Sequence, residues 1–155
     1  MERSKGMSGE ILFRGKRLDN GEWVEGNYAS DCVEDKEKAY IICDIETDSP
    51  DGENADLYAI EWYEADPSTV CRYTGLNDEH GNKIFEGDIC TVAGEDGYFV
   101  VEWDKDEARF ILFGEDLVVN FSNFYGNDCE VIGNIFDNPE LAKGGHRWRK
   151  VKLWI

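Results

Sequence analysis

Apolar residues in this chain gather in short runs separated by turn residues, a pattern that predicts strands. Residues 11–28, I-L-F-R-G-K-R-L-D-N-G-E-W-V-E-G-N-Y, read as a hairpin, because Asn20-Gly21 between apolar-containing arms is a strong tight-turn signal and Trp23 and Val24 begin the return arm. Residues 39–45, A-Y-I-I-C-D-I, form a run of strand length. The following E-T-D-S-P-D-G-E-N-A-D, punctuated by Pro50 and Gly52, reads as a loop and as the disordered or lid-like segment. Residues 57–64 and 70–74 are further strand candidates on either side of Asp66-Pro67. Three short runs at 88–92, 98–103 and 109–113, joined by A-G-E-D-G and D-K-D-E-A, have the spacing of a β-meander. Residues 118–125 and 130–136 add two more runs, and Asn138-Pro139-Glu140-Leu141 can start a helical turn with Pro at its first position. The expectation is an all-β protein with a tail at 1–10 and an N-terminal β region at 11–70. A small SH3-like β-barrel at 71–141, with a short C-terminal helical turn, and a basic tail at 142–155 complete it.

Length and composition narrow the class. A chain of 155 residues fits one compact body that buries about two thirds of its unfolded surface. Eight Phe, seven Tyr and five Trp favour a β-rich core, where flat side chains fit a pleated surface. No run approaches the ~20 apolar residues that cross a bilayer, and M-E-R-S-K-G-M-S-G-E lacks the apolar core of a signal peptide, so the expected location is the bacterial cytoplasm without membrane contact. Residues 1–6 precede a second methionine, Met7, and read as an alternative start or an expression scar outside the fold.

Cys32, Cys43, Cys71, Cys90 and Cys129 are odd in number and widely spaced, with no C-x-x-C and two histidines in the chain, which fits neither a zinc ribbon nor a disulfide framework. Cys43, Cys71 and Cys90 lie in strand-like apolar runs and read as reduced, buried small hydrophobes. The formal charge is −18, from 34 acids and 16 bases. Residues 31–66 hold thirteen carboxylates against Lys36 and Lys38, whereas the last ten residues, H-R-W-R-K-V-K-L-W-I, hold four positive charges and no acid. Such a surface repels a phosphate backbone and attracts a basic partner, so direct nucleic-acid binding is not expected.

Three segments carry a family pattern: I-L-F-R-G-K at 11–16, Y-T-G-L-N-D-E-H-G-N-K-I-F-E-G-D-I at 73–89 and V-I-G-N-I-F-D-N-P-E-L at 131–141. Together, and in this order, they closely resemble the YopX family of phage and prophage proteins. The resemblance implies a β-rich protein carried by bacterial phages or mobile elements, with no catalytic residues to transfer. It does not reach the basic tail.

The residues of the central motif also have a direct physical reading. Gly75, Gly81 and Gly87 allow backbone angles closed to other residues, Asp78 can bond its own backbone to start a turn, and Glu86-Gly87-Asp88 delivers the chain into a strand near Ile89. Ile84 and Phe85 anchor the loop in the core. Beside this scaffold role stands a binding surface on the same loop, with Asp78, Glu79, His80, Glu86 and Asp88 as its candidate residues, since ligand residues gather on loops held by rigid scaffolds. No calcium-loop spacing, Walker A, G-x-S-x-G or G-x-G-x-x-G pattern occurs. Glu86 and Asp88 have acid/base spacing on an extended chain, but 34 carboxylates make such coincidences common. His80 in a polar turn and His146 in the basic tail read as solvent-exposed. No catalytic residue, cofactor or metal is assigned.

The reading that follows is a non-enzymatic accessory protein whose acidic face binds a host or phage protein with a basic surface. Two others stand beside it: an acidic nucleic-acid mimic that blocks a host DNA-binding protein, and a carboxylate-based enzyme acting on a small molecule. The tail from Val151 alternates Val, Leu and Ile with Lys and Trp like an edge strand, which would dock on an acidic surface of its own or a second copy and build a homo-oligomer.

Overall fold

Asn20-Gly21 joins β1 (Phe13–Lys16) to β2 (Trp23–Asp31). The Asn20 Oδ1 accepts the Glu22 N–H at 2.9 Å, and the Arg17 N–H closes onto the Glu22 carbonyl at 2.9 Å, so the turn satisfies its own backbone. The computed structural model describes residues 10–31, 37–48, 56–115, 117–121 and 128–142. Within them the protein is all-β, and its helical content is two 3-10 turns, Pro67–Thr69 and Pro139–Ala142. The acidic loop around Pro50 and Gly52, Cys32, and the basic tail with its docking and oligomer reading lie outside the described residues. Internal contacts divide the chain into two units, Met1–Arg72 and Tyr73–Ile155.

In the first unit, β3 (Lys38–Thr47) and β4 (Leu57–Ala65) extend the hairpin into an antiparallel sheet in the order β4-β3-β2-β1, and the first residues of β5 (Cys71–Asn77) pair with β1. One face is buried: Ala39, Ile41 and Ala65 pack with Phe13, Val24, Tyr28 and Val70. A fully buried aliphatic side chain such as Ile41 stabilises the unit by about 1.5–3 kcal/mol. The end of β4 is drawn back onto the end of β1. Arg17 bridges Ala65, the Leu18 N–H donates to the Glu64 carbonyl at 3.0 Å, and the Arg17 guanidinium lies 4.0 Å over the Tyr63 ring while pairing with Asp19 at 2.6 Å. The Thr69 hydroxyl, buried in the 3-10 turn, accepts the Lys16 N–H and donates to the Asp66 carbonyl.

The second unit contains the rest of β5, β6 (Lys83–Phe85), β7 (Asp88–Val92), β8 (Phe99–Asp104), β9 (Arg109–Phe113), β10 (Val118–Asn120) and β11 (Cys129–Asn134). The meander read from the sequence is present as β7 to β9, but the small barrel is not: β7 to β11 form an open five-stranded sheet in the order β10-β9-β8-β7-β11. β11 pairs with β7, which leaves it and β10 at opposite edges, and β10 offers a partner three residues long. Barrel closure needs tilted strands in continuous stagger, which edges so short and so far apart in the sheet do not provide. Both faces of β7 and β8 are covered, which accounts for their unbroken apolar runs. Cys90, Val92, Phe99 and Val101 pack with Ile84, Leu112, Val119 and Cys129 on one side, and Ile89 and Val100 pack with Ala142, Ile135 and Leu141 on the other. The C-terminal 3-10 turn is therefore part of a core.

Cys71, Cys90 and Cys129 are buried free thiols. A hydrogen bond with Cys129 together with burial pushes the Cys90 thiol far above its ordinary value, so it behaves as a hydrophobe. Cys43 departs from the expectation: on β3 it is exposed, because it falls after Ile41 where the buried face ends, and its thiol donates to the Glu25 carbonyl at 3.4 Å.

β2 serves two partners, pairing with β1 through Trp23 to Gly26 and with β3 through Asn27 to Asp31. The hand-over falls at Gly26, where an added Cβ would collide with the backbone carbonyl of Ile42. Because backbone cannot rotate away as a side chain can, Gly26→Ala should destabilise the protein by about 1–3 kcal/mol in urea unfolding. Unchanged stability would show that the strand tolerates a side chain there.

Candidate functional site

The loop between β5 and β6 is organised by a buried carboxylate. Asp78 is 5% exposed. Its Oδ1 accepts the N–H groups of His80 at 3.0 Å and Asn82 at 2.8 Å, and its Oδ2 accepts the Val131 N–H at 3.0 Å and the Asn82 side-chain amide at 3.3 Å. The Asp78 N–H donates to the Asn82 carbonyl at 2.8 Å, and the Glu79 N–H donates to the Cys129 carbonyl at 3.0 Å, so the loop is stitched to β11 at two points. Gly81, at φ 84°, turns the chain where a side chain would be strained. Burial alone would raise the Asp78 carboxyl, but its hydrogen bonds from Val131, Asn82 and His80 outweigh that and hold it below the usual carboxylate range. Asp78 is thus the brace of the loop and not part of its surface.

Glu79 and His80 stand exposed at the loop tip. The His80 Nε2 lies 3.3 Å from the Glu79 Oε1 and 3.6 Å from the Oε1 of Glu130, an exposed residue of β11. Sequence reasoning missed Glu130. It is fifty residues away, and the Val131 N–H bond to Asp78 is what brings it to His80. Its only local signal is its place on the outward side of a strand that begins with a buried cysteine.

Glu86 and Asp88 belong to a separate turn. Asp88 is 1% exposed, and its Oδ2 accepts the Phe85 N–H at 2.8 Å. Gly87 takes φ 87° and exchanges backbone bonds with Val101 and Ile135, at 2.8 and 2.9 Å. Glu86 is half-buried beside it. These two carboxylates lie outside the cluster formed by Glu79, His80 and Glu130. The 131–141 motif is likewise turn chemistry: the Asn134 Oδ1 accepts the N–H groups of Phe136 and Asp137, and the Asn138 Oδ1 accepts the Asn134 N–H. A cleft of about 440 Å³ bordered by Tyr98 and Leu141 carries Glu95, Asp96 and Glu115, all exposed.

The first unit presents a different surface. Tyr58, Ile60 and Trp62 lie along β4 and each leave half or more of their surface exposed, and the ladder with β3 shifts register among them, with Glu61 opposite Asp44 and Ala59 opposite Ile45. Trp62 stands opposite Ile42 and meets Tyr40 edge-on at 5.7 Å, and these three side chains with Ala29 and Ala59 outline a shallow apolar depression. Asp44, Glu46, Glu61 and Glu64 lie on the same two strands.

The brace makes a pH-dependent prediction. Asp78→Asn keeps one acceptor but turns the other oxygen into a donor facing the Val131 N–H, so stability near neutral pH should fall by about 1–3 kcal/mol in urea unfolding. Because the folded carboxyl is more acidic than the unfolded one, its contribution is present above the unfolded value of ~3.9 and lost as pH falls through the folded value. The gap between wild type and variant should therefore narrow in acid. A gap that stays constant would show that charge is not what the bonds require.

Among solved structures, the crystal structure of protein EF1440 from Enterococcus faecalis is similar to this chain with a TM-score of 0.59 and 27% identity, covering 88% of this chain and 100% of that one. No curated protein matches. The family described as YopX protein matches residues 12–143, which contain all of the described strands and both braced turns. The chain belongs to the YopX family.

Proposed function

We propose that this member of the YopX family is a phage or prophage accessory protein of the bacterial cytoplasm that acts by binding another protein and not by catalysis. The observation that carries the reading is β4, an edge strand on which Tyr58, Ile60 and Trp62 all stand exposed. Exposure of this kind is expensive to leave in water and is characteristic of interaction surfaces, with tryptophan and tyrosine as frequent anchors. The end of β4 is occupied by Leu18 and Arg17, while among the described residues no strand pairs with its outer edge from Leu57 to Trp62. An extended segment can add there as a further strand.

Charge selects the partner. Asp44, Glu46, Glu61 and Glu64 lie on the same two strands as these apolar residues, within a stretch of thirteen carboxylates and two lysines. The segment that fits is extended, apolar on one side and basic on the other, supplied by a host or phage protein. Carboxylates at the rim steer such a segment and make its binding sensitive to salt. The apolar side chains that the partner covers supply the affinity.

The test begins with retention from host lysate at low salt, identification of the retained protein, and titration of the purified partner. Affinity should fall at least about tenfold for Trp62→Ala, by the logic of an aromatic anchor, and should weaken as salt rises. A partner that binds Trp62→Ala as tightly as wild type would overturn the assignment of the strand, and failure to retain any protein would overturn the reading itself. Displacement of the partner from DNA would favour nucleic-acid mimicry instead. If the retained partner is a second copy, a chain ending at Gly144 compared by sedimentation will show whether the basic tail is the segment.

A further inference from the structure

We propose that Glu79, His80 and Glu130 form a binding site for one divalent transition cation, with zinc the best match. The three donor atoms, one imidazole nitrogen and two carboxylate oxygens, all lie within 4.8 Å of one another. An ion held at ~2.0–2.2 Å by tetrahedral ligands sets its donors roughly 3.3–3.6 Å apart. The His80 Nε2 stands 3.3 Å from the Glu79 oxygen and 3.6 Å from the Glu130 oxygen, inside that range. Small rotations of two exposed side chains complete the triangle.

Charge and rigidity point the same way. Two carboxylates this close repel each other, and a cation between them removes the repulsion. Ligands on free loops lose affinity to ordering, but here the backbone is already held. Asp78 fixes the His80 and Asn82 N–H groups on one side and the Val131 N–H on the other, and the Glu79 N–H is tied to the Cys129 carbonyl. The buried carboxylate thus serves as the positioning residue for donors from two distant parts of the chain. The mixed nitrogen and oxygen set suits zinc and its neighbours better than magnesium or calcium, which take oxygen ligands. With three protein donors, the remaining position opens to solvent.

The experiment uses the intact protein, zinc chloride as the probe, and calorimetric titration after chelator treatment. Wild type should show one saturable site and a higher melting temperature with zinc, as expected for a ligand of the folded state. His80→Ala and Glu130→Gln should each weaken binding by at least about tenfold. His146→Ala, which changes the other histidine of the chain, should leave it unchanged. In the wild-type protein, NMR of the imidazole ring protons should show the His80 signals shifting on zinc addition, a readout independent of any variant's folding. Absence of a saturable site, equal affinity in His80→Ala, or a zinc shift confined to His146 would each overturn the proposal.

Discussion

A carboxylate removed from water has to recover its hydration from the protein, and Asp78 does so with donors drawn from two places. Two come from its own turn and one from β11, with the Asn82 amide as a fourth. The desolvation cost makes the arrangement close to all-or-none, since a charge half satisfied in the interior costs more than it returns. The consequence reaches beyond the loop. The Val131 bond fixes β11 against the β5–β6 connection, β11 in turn pairs with β7, and Cys129 and Cys90 close the core beneath. The candidate site inherits its geometry from that register.

The first unit solves a different problem. Its sheet buries one face with three small or aliphatic residues and a ring of partly buried ones, while Tyr58, Ile60 and Trp62 of its edge strand stay exposed. Stability does not require those residues there, because the buried face already contains the packing. Edge strands with large apolar side chains invite association, and the surrounding carboxylates keep that association selective by repelling acidic surfaces. The two units therefore offer two chemistries. One is an edge strand with exposed apolar side chains and carboxylates on the strands beside them, and the other is a braced loop with nitrogen and oxygen donors.

Much of this was legible in the residue order. The strands at 88–92 and 109–113 have the bounds that the apolar runs predict, the Asn20-Gly21 turn and the turn at Pro139 stand where turn chemistry places them, and two of the three YopX motifs, 73–89 and 131–141, contain turns held by their own side chains. These features are local, and the backbone preferences of Asn, Gly, Pro and Asp act within a few residues. Within the 118–125 run, β10 covers Val118–Asn120, and 122–127 lie outside the described residues.

What the sequence by itself determined was the class, the turns and the family, because each rests on neighbours along the chain. What only the tertiary structure decided was which partner each strand takes. An open sheet and a closed barrel use the same alternating runs, and the difference lies in β11 choosing β7, a pairing across some forty residues that no local pattern encodes. The same pairing turned Asp78 from a surface candidate into a buried brace and brought Glu130 to His80. It depends on a hydrogen bond between residues fifty-three positions apart, and side chains that distant become neighbours only when the register between their strands is set.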